Sequence, residues 1–332
     1  MSPASLDAPR ASTARIWVAL ATVYVVWGTT YLGIAEVNKT IPTLVGAATR
    51  FLIAGGLLFA WSLPRSGGER PTRTSWKAAS VVGVLLLLGG NSGVAWAERT
   101  VPTGVVSLII ALVPLWLALF DRVILRSAPL GWRTVVGLIG GFAGAALLIG
   151  SSATAGHVPL SGLVVAVGAT LSWAAGSLFA RRAALPRHPL LGSGMQQIAG
   201  GVAVLIVAAG IGELGQVNLG AVSTTSWVAL AYLICIGSWV GFSTYVWLLR
   251  NARTSLVSTY AFVNPVVAVF LGWLVLNEHL SARVFAAGLL VLASVALIVS
   301  AGTPQQVEAV TAPSVEGSDA GQERRAELEP EV

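Results

Sequence analysis

Ten apolar segments, each close to the length that crosses a bilayer, most limit what this chain of 332 residues can fold into. A membrane-spanning α-helix needs about 20 mainly apolar residues, because each residue adds about 1.5 Å along the helix axis. Pro or Gly occurs in most connections between the segments. The pattern predicts an all-α integral membrane protein with ten transmembrane helices. The segments are 16–35, 43–63, 76–97, 104–120, 131–149, 160–180, 190–211, 226–249, 256–276 and 282–300.

The composition agrees with a membrane protein. Hydrophobic residues make up 55% of the chain and charged residues 10%, whereas about a quarter of the residues in a soluble domain are charged. The net charge is +6, but Lys and Arg are scattered between apolar runs and form no basic patch of the kind that binds nucleic acid. We therefore expect a lipid bilayer around the protein and no nucleic-acid partner. The single cysteine, Cys235, lies in an apolar run and is expected to be buried.

The second half of the chain repeats the first. A constant step of 151 residues places Trp96 on Trp247 and Pro114 on Pro265. A step of 146 relates the opening helices of the two halves. Repeats of this kind indicate one structural unit used twice. We predict four parts: an N-terminal tail at 1–15, a first five-helix repeat at 16–150, a second at 160–300, and an acidic tail at 301–332 for which we expect disorder.

The distribution of basic residues predicts the orientation of the helices. With a cytoplasmic N-terminus and ten spans, sixteen of the twenty Lys and Arg residues fall on the inner side, as cytoplasmic loops favour positive charge. The outer loops hold only Lys39, Arg99 and Arg283, and Arg50 lies within a span. Both termini are then cytoplasmic. Because each repeat has an odd number of helices, the two repeats must be inverted relative to each other, an arrangement typical of secondary transporters.

Several motifs in order resemble a known family. They are WGTTYLGI in the first helix, an arginine followed by FLIAGG in the second, VAWAERTVPTG across the third and fourth, and YAFVNPVVAVFLGWLVLNEHLS across the ninth and tenth. Together they resemble the EamA-type members of the drug/metabolite transporter superfamily, over about 16–300. The resemblance implies an exporter of the plasma membrane that moves small metabolites, such as amino acids, related compounds or amphiphilic drugs, by alternating access.

Polar and aromatic side chains within the predicted helices are candidates to line a central cavity. An aromatic lining suits apolar, aromatic or cationic solutes, although packing in the protein core explains any one of these residues equally simply. The substrate-binding candidates are Trp27, Thr30, Tyr31, Arg50, Asn91, Trp96, Trp173, Ser177, Gln196, Tyr245, Tyr260 and Asn264.

Arg50 and Glu98 are the charged candidates. A charge within a span normally faces the interior of the bundle, because contact with lipid costs several kcal/mol. Arg50 could bind a substrate carboxylate, or it could pair with Glu98 or with carbonyl groups at a helix end. Glu98 is the best candidate for proton coupling, and its alternatives are a helix cap or an ion pair with Arg99 or Arg50. Either the proton gradient or the substrate gradient could drive transport.

Pro114 and Pro265 are related by the repeat and lie within predicted helices, where proline removes a backbone hydrogen bond. They are candidate hinges or static kinks. Closely spaced glycines in the fifth helix predict close helix packing within one chain, and we expect a monomer.

Motifs for catalysis, nucleotide binding and metal binding are missing. No P-loop, G-x-S-x-G or H-E-x-x-H sequence occurs, and the three histidines stand in separate loops. We expect no enzymatic activity, no cofactor and no metal. Two other functions remain open: a membrane-embedded enzyme acting on lipid-like substrates, which needs converging acidic and histidine side chains, and a scaffold without transport activity.

Overall fold

A computed structural model describes residues 12–123, 131–154, 158–180, 182–252, 260–278 and 281–300. All regular secondary structure in these ranges is helical. The predicted tail at 301–332 and most of the tail at 1–15 lie outside the described residues. The helices are α1 (Thr13–Asn38), α2 (Thr43–Ser62), α3 (Arg73–Ala97), α4a (Thr103–Ile110), α4b (Val113–Val123), α5 (Trp132–Thr154), α6 (Leu160–Ala180), α7 (Pro189–Gly210), α8 (Thr224–Tyr232, Leu233–Val240 and Gly241–Asn251), α9 (Tyr260–Leu276) and α10 (Ala282–Ser300).

The all-helical prediction is confirmed. Within the described residues, six helices are long and apolar enough to cross a membrane: α1, α2, α3, α6, α7 and α8. Four further apolar helices, in α4, α5, α9 and α10, are shorter. A count of ten spans therefore stays a prediction.

The outer surface of the bundle is apolar, which corrects one expectation from the sequence. Cys235 is exposed on α8, not buried. Large apolar residues such as Ile139, Val164 and Ile206 are exposed in the same way. In a bilayer, an apolar run gives no preference for the protein interior, because lipid tails are as apolar as the core.

Residues from six helices, α3, α4a, α4b, α5, α6 and α10, build the largest buried cluster. Ile109 and Leu115 of α4a and α4b meet Leu163 of α6 and Val291 of α10 there. The glycines of α5 allow the close approach predicted for that helix: a Cβ atom on Gly137 would lie 2.8 Å from a carbonyl oxygen of α10. The predicted packing of α5 within one chain is therefore observed.

Helices α2 and α7, which are repeat mates, pack through equivalent glycines. A Cβ atom on Gly55 would lie 2.9 Å from the backbone nitrogen of Ile198, and one on Gly201 would lie 3.1 Å from that of Leu52. The step of 146 relates both Gly55 to Gly201 and Leu52 to Ile198. Each helix thus presents the same surface to the other, as in a twofold contact.

A matched pair of substitutions tests this contact. Gly55→Ala is expected to destabilise the protein by about 1–3 kcal/mol, because the new methyl group meets backbone atoms that cannot yield. Gly56→Ala is the control, since nothing lies within 4 Å of a Cβ atom there. Thermal unfolding in detergent measures both. Equal midpoints for the two variants would contradict the packing described here.

Carboxylates join the repeats at both ends of this helix pair. Glu213, in the loop after α7, is buried and accepts hydrogen bonds from the backbone N–H groups of Leu44 (2.7 Å) and Val45 (3.3 Å) in the first turn of α2. These N–H groups have no partner within the helix, and the helix dipole favours a negative charge there. The carboxylate therefore stabilises the start of α2.

The loop after α2 makes the reciprocal contact. Glu69 accepts hydrogen bonds from the backbone N–H groups of Arg187 (2.9 Å) and His188 (3.1 Å), directly before α7. Each repeat thus supplies a carboxylate to the start of the other repeat's second helix.

Candidate functional site

Arg50 is buried near the middle of α2 and connects it to two other helices. Its Nε donates to the Ser238 hydroxyl at 3.0 Å, and its Nη1 donates to the Asn91 side-chain oxygen at 3.5 Å. Asn91 belongs to α3 in the first repeat and Ser238 to α8 in the second. The arginine therefore bridges the two repeats through neutral partners, and the predicted pairing with Glu98 is wrong.

Both partners of Arg50 lie in stretches of π-helix. These are Val84–Ser92 in α3 and Leu233–Val240 in α8, which occupy corresponding places in the two repeats. A π-helical turn widens the helix and leaves some backbone groups poorly paired, and such turns often mark functional sites. The two stretches thus each supply one hydrogen-bond acceptor to the same arginine.

A small cavity lies beside the Arg50 side chain. Its volume is about 20 Å³, enough for about one water molecule and far below the roughly 300–1,000 Å³ of a typical small-molecule site. Thr43, Ala47, Asn91 and Ala95 contribute to its lining. The space beside Arg50 is therefore too small for a metabolite in this conformation.

Three aromatic candidates form one cluster. The Trp27 ring centroid lies 5.0 Å from that of Tyr245 and 5.1 Å from that of Tyr260, and the two tyrosine rings lie 5.7 Å apart. The two contacts of Tyr260 are edge-to-face, a favourable arrangement of ring quadrupoles. The cluster joins α1, α8 and α9, so it too contains side chains of both repeats.

Asn264 is buried beside this cluster. Its side-chain amide faces the carbonyl oxygens of Tyr24 and Tyr260, at 3.3 and 3.2 Å, and donates to both with its nitrogen turned toward them. It thereby ties α9 to α1. Thr30 donates its hydroxyl to the Trp27 carbonyl oxygen at 2.6 Å.

Four other candidates belong neither to the hydrogen bonds of Arg50 nor to the aromatic cluster. Trp96 stacks against the Arg99 guanidinium at 4.3 Å. The Trp173 ring packs on Gly90, and Ser177 donates to the Trp173 carbonyl at 2.8 Å within α6. Gln196, the repeat mate of Arg50, is half-buried in α7. Trp96, Trp173, Ser177 and Gln196 do not line the small cavity beside Arg50.

Glu98 directly follows α3, and its carboxyl group lies in an unusual environment. Both carboxyl oxygens are shielded from solvent, and neither has a hydrogen-bond partner among the described residues. The predicted ion pairs with Arg50 and Arg99 are therefore wrong. Tyr31 lies close enough to interact electrostatically with this carboxyl group.

Sequence reasoning missed two polar residues at these sites. Ser238 could have been noticed as a hydroxyl within an apolar helix. Glu278, at the end of α9, accepts hydrogen bonds from the backbone N–H groups of Thr103 (2.7 Å) and Gly104 (3.0 Å). Its place in the NEHLS motif gave no indication of that contact.

The two repeat-related prolines occupy different settings. Pro265 lies inside the continuous helix α9. The helix that was predicted to contain Pro114 ends at Ile110 and resumes at Val113, so Pro114 falls in the first turn of α4b. Proline is tolerated in a first turn because its missing N–H would have no intrahelical partner. Pro114 therefore marks a break between two helices, whereas Pro265 is accommodated within one.

Comparisons with known proteins agree with this architecture. The inner membrane transporter YedA of Escherichia coli, itself uncharacterized, is 36% identical over 266 residues, which cover 79% of this chain and 83% of YedA. The transporter YvbV of Bacillus subtilis is 26% identical over 91% of this chain and 96% of its own. PecM of Dickeya dadantii is 29% identical over 77% and 82% of the two chains.

A solved crystal structure has the same fold. It is 22% identical, with a TM-score of 0.59, and covers 89% of this chain and 100% of its own. The model of the EamA-like transporter family matches residues 14–150 and again residues 160–300. The chain therefore belongs to the EamA-like transporter family, as a multi-pass membrane protein of the transporter class.

Proposed function

We propose that the protein is a secondary transporter of the plasma membrane that exports small metabolites from the cytoplasm by alternating access. In this proposal ten spans form two inverted five-helix repeats, 16–150 and 160–300, and both termini are cytoplasmic. The observation that carries the proposal is the buried Arg50, which bridges repeat-related π-helical stretches beside a small cavity.

The position of Arg50 suggests how the outer gate closes. With a cytoplasmic N-terminus, α2 runs from the outer to the inner surface, so the Thr43 end of the cavity faces outward. The hydrogen bonds of Arg50 hold α3 and α8 together below that end. Opening toward the outside then requires these bonds to break, and a solute group that replaces Asn91 or Ser238 as a partner could compensate for the loss.

The aromatic cluster indicates which solutes the protein would accept. Trp27, Tyr245 and Tyr260 offer ring faces and edges to an apolar, aromatic or cationic group. Small amphiphiles of this kind, including amino acids with apolar side chains, fit such a surface together with Arg50. Pro265 and the break at Pro114 are the candidate hinges.

Solute flux in proteoliposomes tests the proposed function. A panel of labelled amino acids and cationic dyes is loaded, with and without an imposed pH gradient. We expect saturable flux of at least one solute that empty liposomes lack. Normal incorporation without flux of any solute would contradict the transporter and favour a scaffold role.

A further inference from the structure

We propose that Glu98 and Glu278 together form a proton-binding site at the outer ends of α3, α4a and α9, with the proton on Glu98. This inference rests on the proposed transport function and names an ion that controls the outer gate. The sequence indicates Glu98 alone, and the structure adds a second carboxylate with a different role.

The two carboxylates have opposite environments. Glu278 is surrounded by donors: its oxygens accept from the N–H groups of Thr103 and Gly104 at the start of α4a. Neither carboxyl oxygen of Glu98 has a donor among the described residues, and neither is exposed to solvent. An ionised carboxylate without partners is very costly to bury, whereas a neutral carboxyl costs much less. The proton therefore belongs on Glu98, while Glu278 keeps its negative charge beside the helix terminus.

Nearby charges also favour the proton on Glu98. Glu98 follows the span Arg73–Ala97. Burial raises the pKa of its carboxyl group well above the ordinary value, and the Glu278 carboxylate raises it further. Tyr31 of α1 faces the same group. Of the basic residues in the predicted outer loops, Arg99 stacks on Trp96 and Lys39 pairs with Glu36.

The repeat shows that the fold itself does not require these acids. The step of 151 places Leu249 at the position of Glu98 and Ser127 at that of Glu278. The inner counterpart of this site therefore has no carboxyl group in the sequence. Carboxyl groups are therefore present at the outer site and missing from its inner counterpart. Protonation at this position can then control only the outer gate.

The site also contacts the helices that would separate when the outer gate opens. Glu278 is bonded to the first residues of α4a, and Glu98 lies at the end of α3, five residues before Thr103. Separation of α3 from α4a and α9 would admit water to Glu98, which would then release its proton to the outside. Closing the gate on Glu98 would require a proton to return. No bond other than the carboxyl O–H is made or broken.

Infrared titration of the purified full-length protein in lipid nanodiscs tests the site without any solute. We expect the C=O stretch of a protonated carboxyl group at pH 7, and its loss in Glu98→Gln. In Glu278→Gln, the pH at which this band disappears is expected to fall by about one unit or more, because a nearby negative charge has been removed. Glu36→Gln, which removes a partly exposed carboxylate paired with Lys39, is expected to change neither result.

Two results would overturn the site. They are a wild-type protein with no protonated carboxyl at pH 7, and a titration midpoint that Glu278→Gln leaves unchanged. Because the spectra need no solute, a failure here is distinct from a failure of the flux measurement. Where both succeed, the dependence of flux on the outer pH is expected to vanish in Glu98→Gln.

Discussion

Replacing Arg50 with Ala is expected to lower solute flux by about tenfold or more in protein that still folds and inserts. A hydrogen bond from a charged group contributes about 1.5–3 kcal/mol, and about 1.4 kcal/mol corresponds to a factor of ten. The substitution removes the donors to both Ser238 and Asn91, which come from opposite repeats. The outward-closed state, which takes up solute from the cytoplasm, is then populated about tenfold less or lower still. Initial rates in proteoliposomes, with size-exclusion profiles as the check on folding, measure the effect.

Two further variants distinguish charge from geometry. Arg50→Lys keeps the positive charge but cannot reproduce the two-pronged guanidinium, so flux between those of the wild type and Arg50→Ala is expected. Arg65→Ala is the control, because Arg65 is exposed just beyond α2, where it stacks on Trp61 and donates to the Trp61 carbonyl oxygen without reaching another helix. Wild-type flux in Arg50→Ala would show that the bridge is dispensable and would contradict its role in the gate.

Replacing Glu213 with Ala is expected to lower the free energy of unfolding by about 1–3 kcal/mol. The substitution leaves the buried N–H group of Leu44 and the partly buried one of Val45 without their acceptor, and an unsatisfied buried donor costs about that much. It also removes a negative charge from the N-terminus of α2. Thermal or denaturant unfolding in detergent measures the change.

The reciprocal carboxylate provides the comparison. Glu69 is more exposed than Glu213, so water can replace it, and Glu69→Ala is expected to cost only about 0.5–1 kcal/mol. Glu213→Gln keeps an acceptor oxygen and is expected to recover part of the loss. If Glu213→Ala lowered the free energy of unfolding no more than Glu69→Ala, the burial of the Glu213 contact would contribute nothing to stability.

The helices were predictable because apolar length is a strong and local signal. Every segment marked in the sequence overlaps a helix in the described residues. The break at Ala111 was not predicted in that form, because a proline in an apolar run is equally compatible with a kink and with a new helix start. The π-helical stretches have no compositional signature that separates VLLLLGGNS from ordinary apolar helix.

The sequence predicted several residues of the site but not which residues contact one another. Arg50 was expected to face the interior, and it is buried. Its partner Ser238 lies 188 residues away in the chain, and the rotation of α8 that aligns them depends on packing among several helices. Glu278 acts through backbone groups of Thr103 and Gly104, which no pattern of side chains can reveal.

The opening of the cavity beside Arg50 is the central event of the proposed mechanism, and a single cysteine reports on it. Cys235→Ser removes the only native thiol, and Ala47→Cys places one in the cavity lining. Gly215→Cys and Gly68→Cys, in the exposed loops after α7 and α2, are topology controls. From outside, an impermeant maleimide is expected to label position 215 but not position 68.

Labelling of Ala47→Cys from outside is the most direct measurement. Alternating access predicts slow labelling at rest, because Ala47 is buried and the cavity is too small for the reagent. It predicts severalfold faster labelling when a transported solute is supplied at the cytoplasmic side. A labelling rate at position 47 that no transported solute changes would contradict the account.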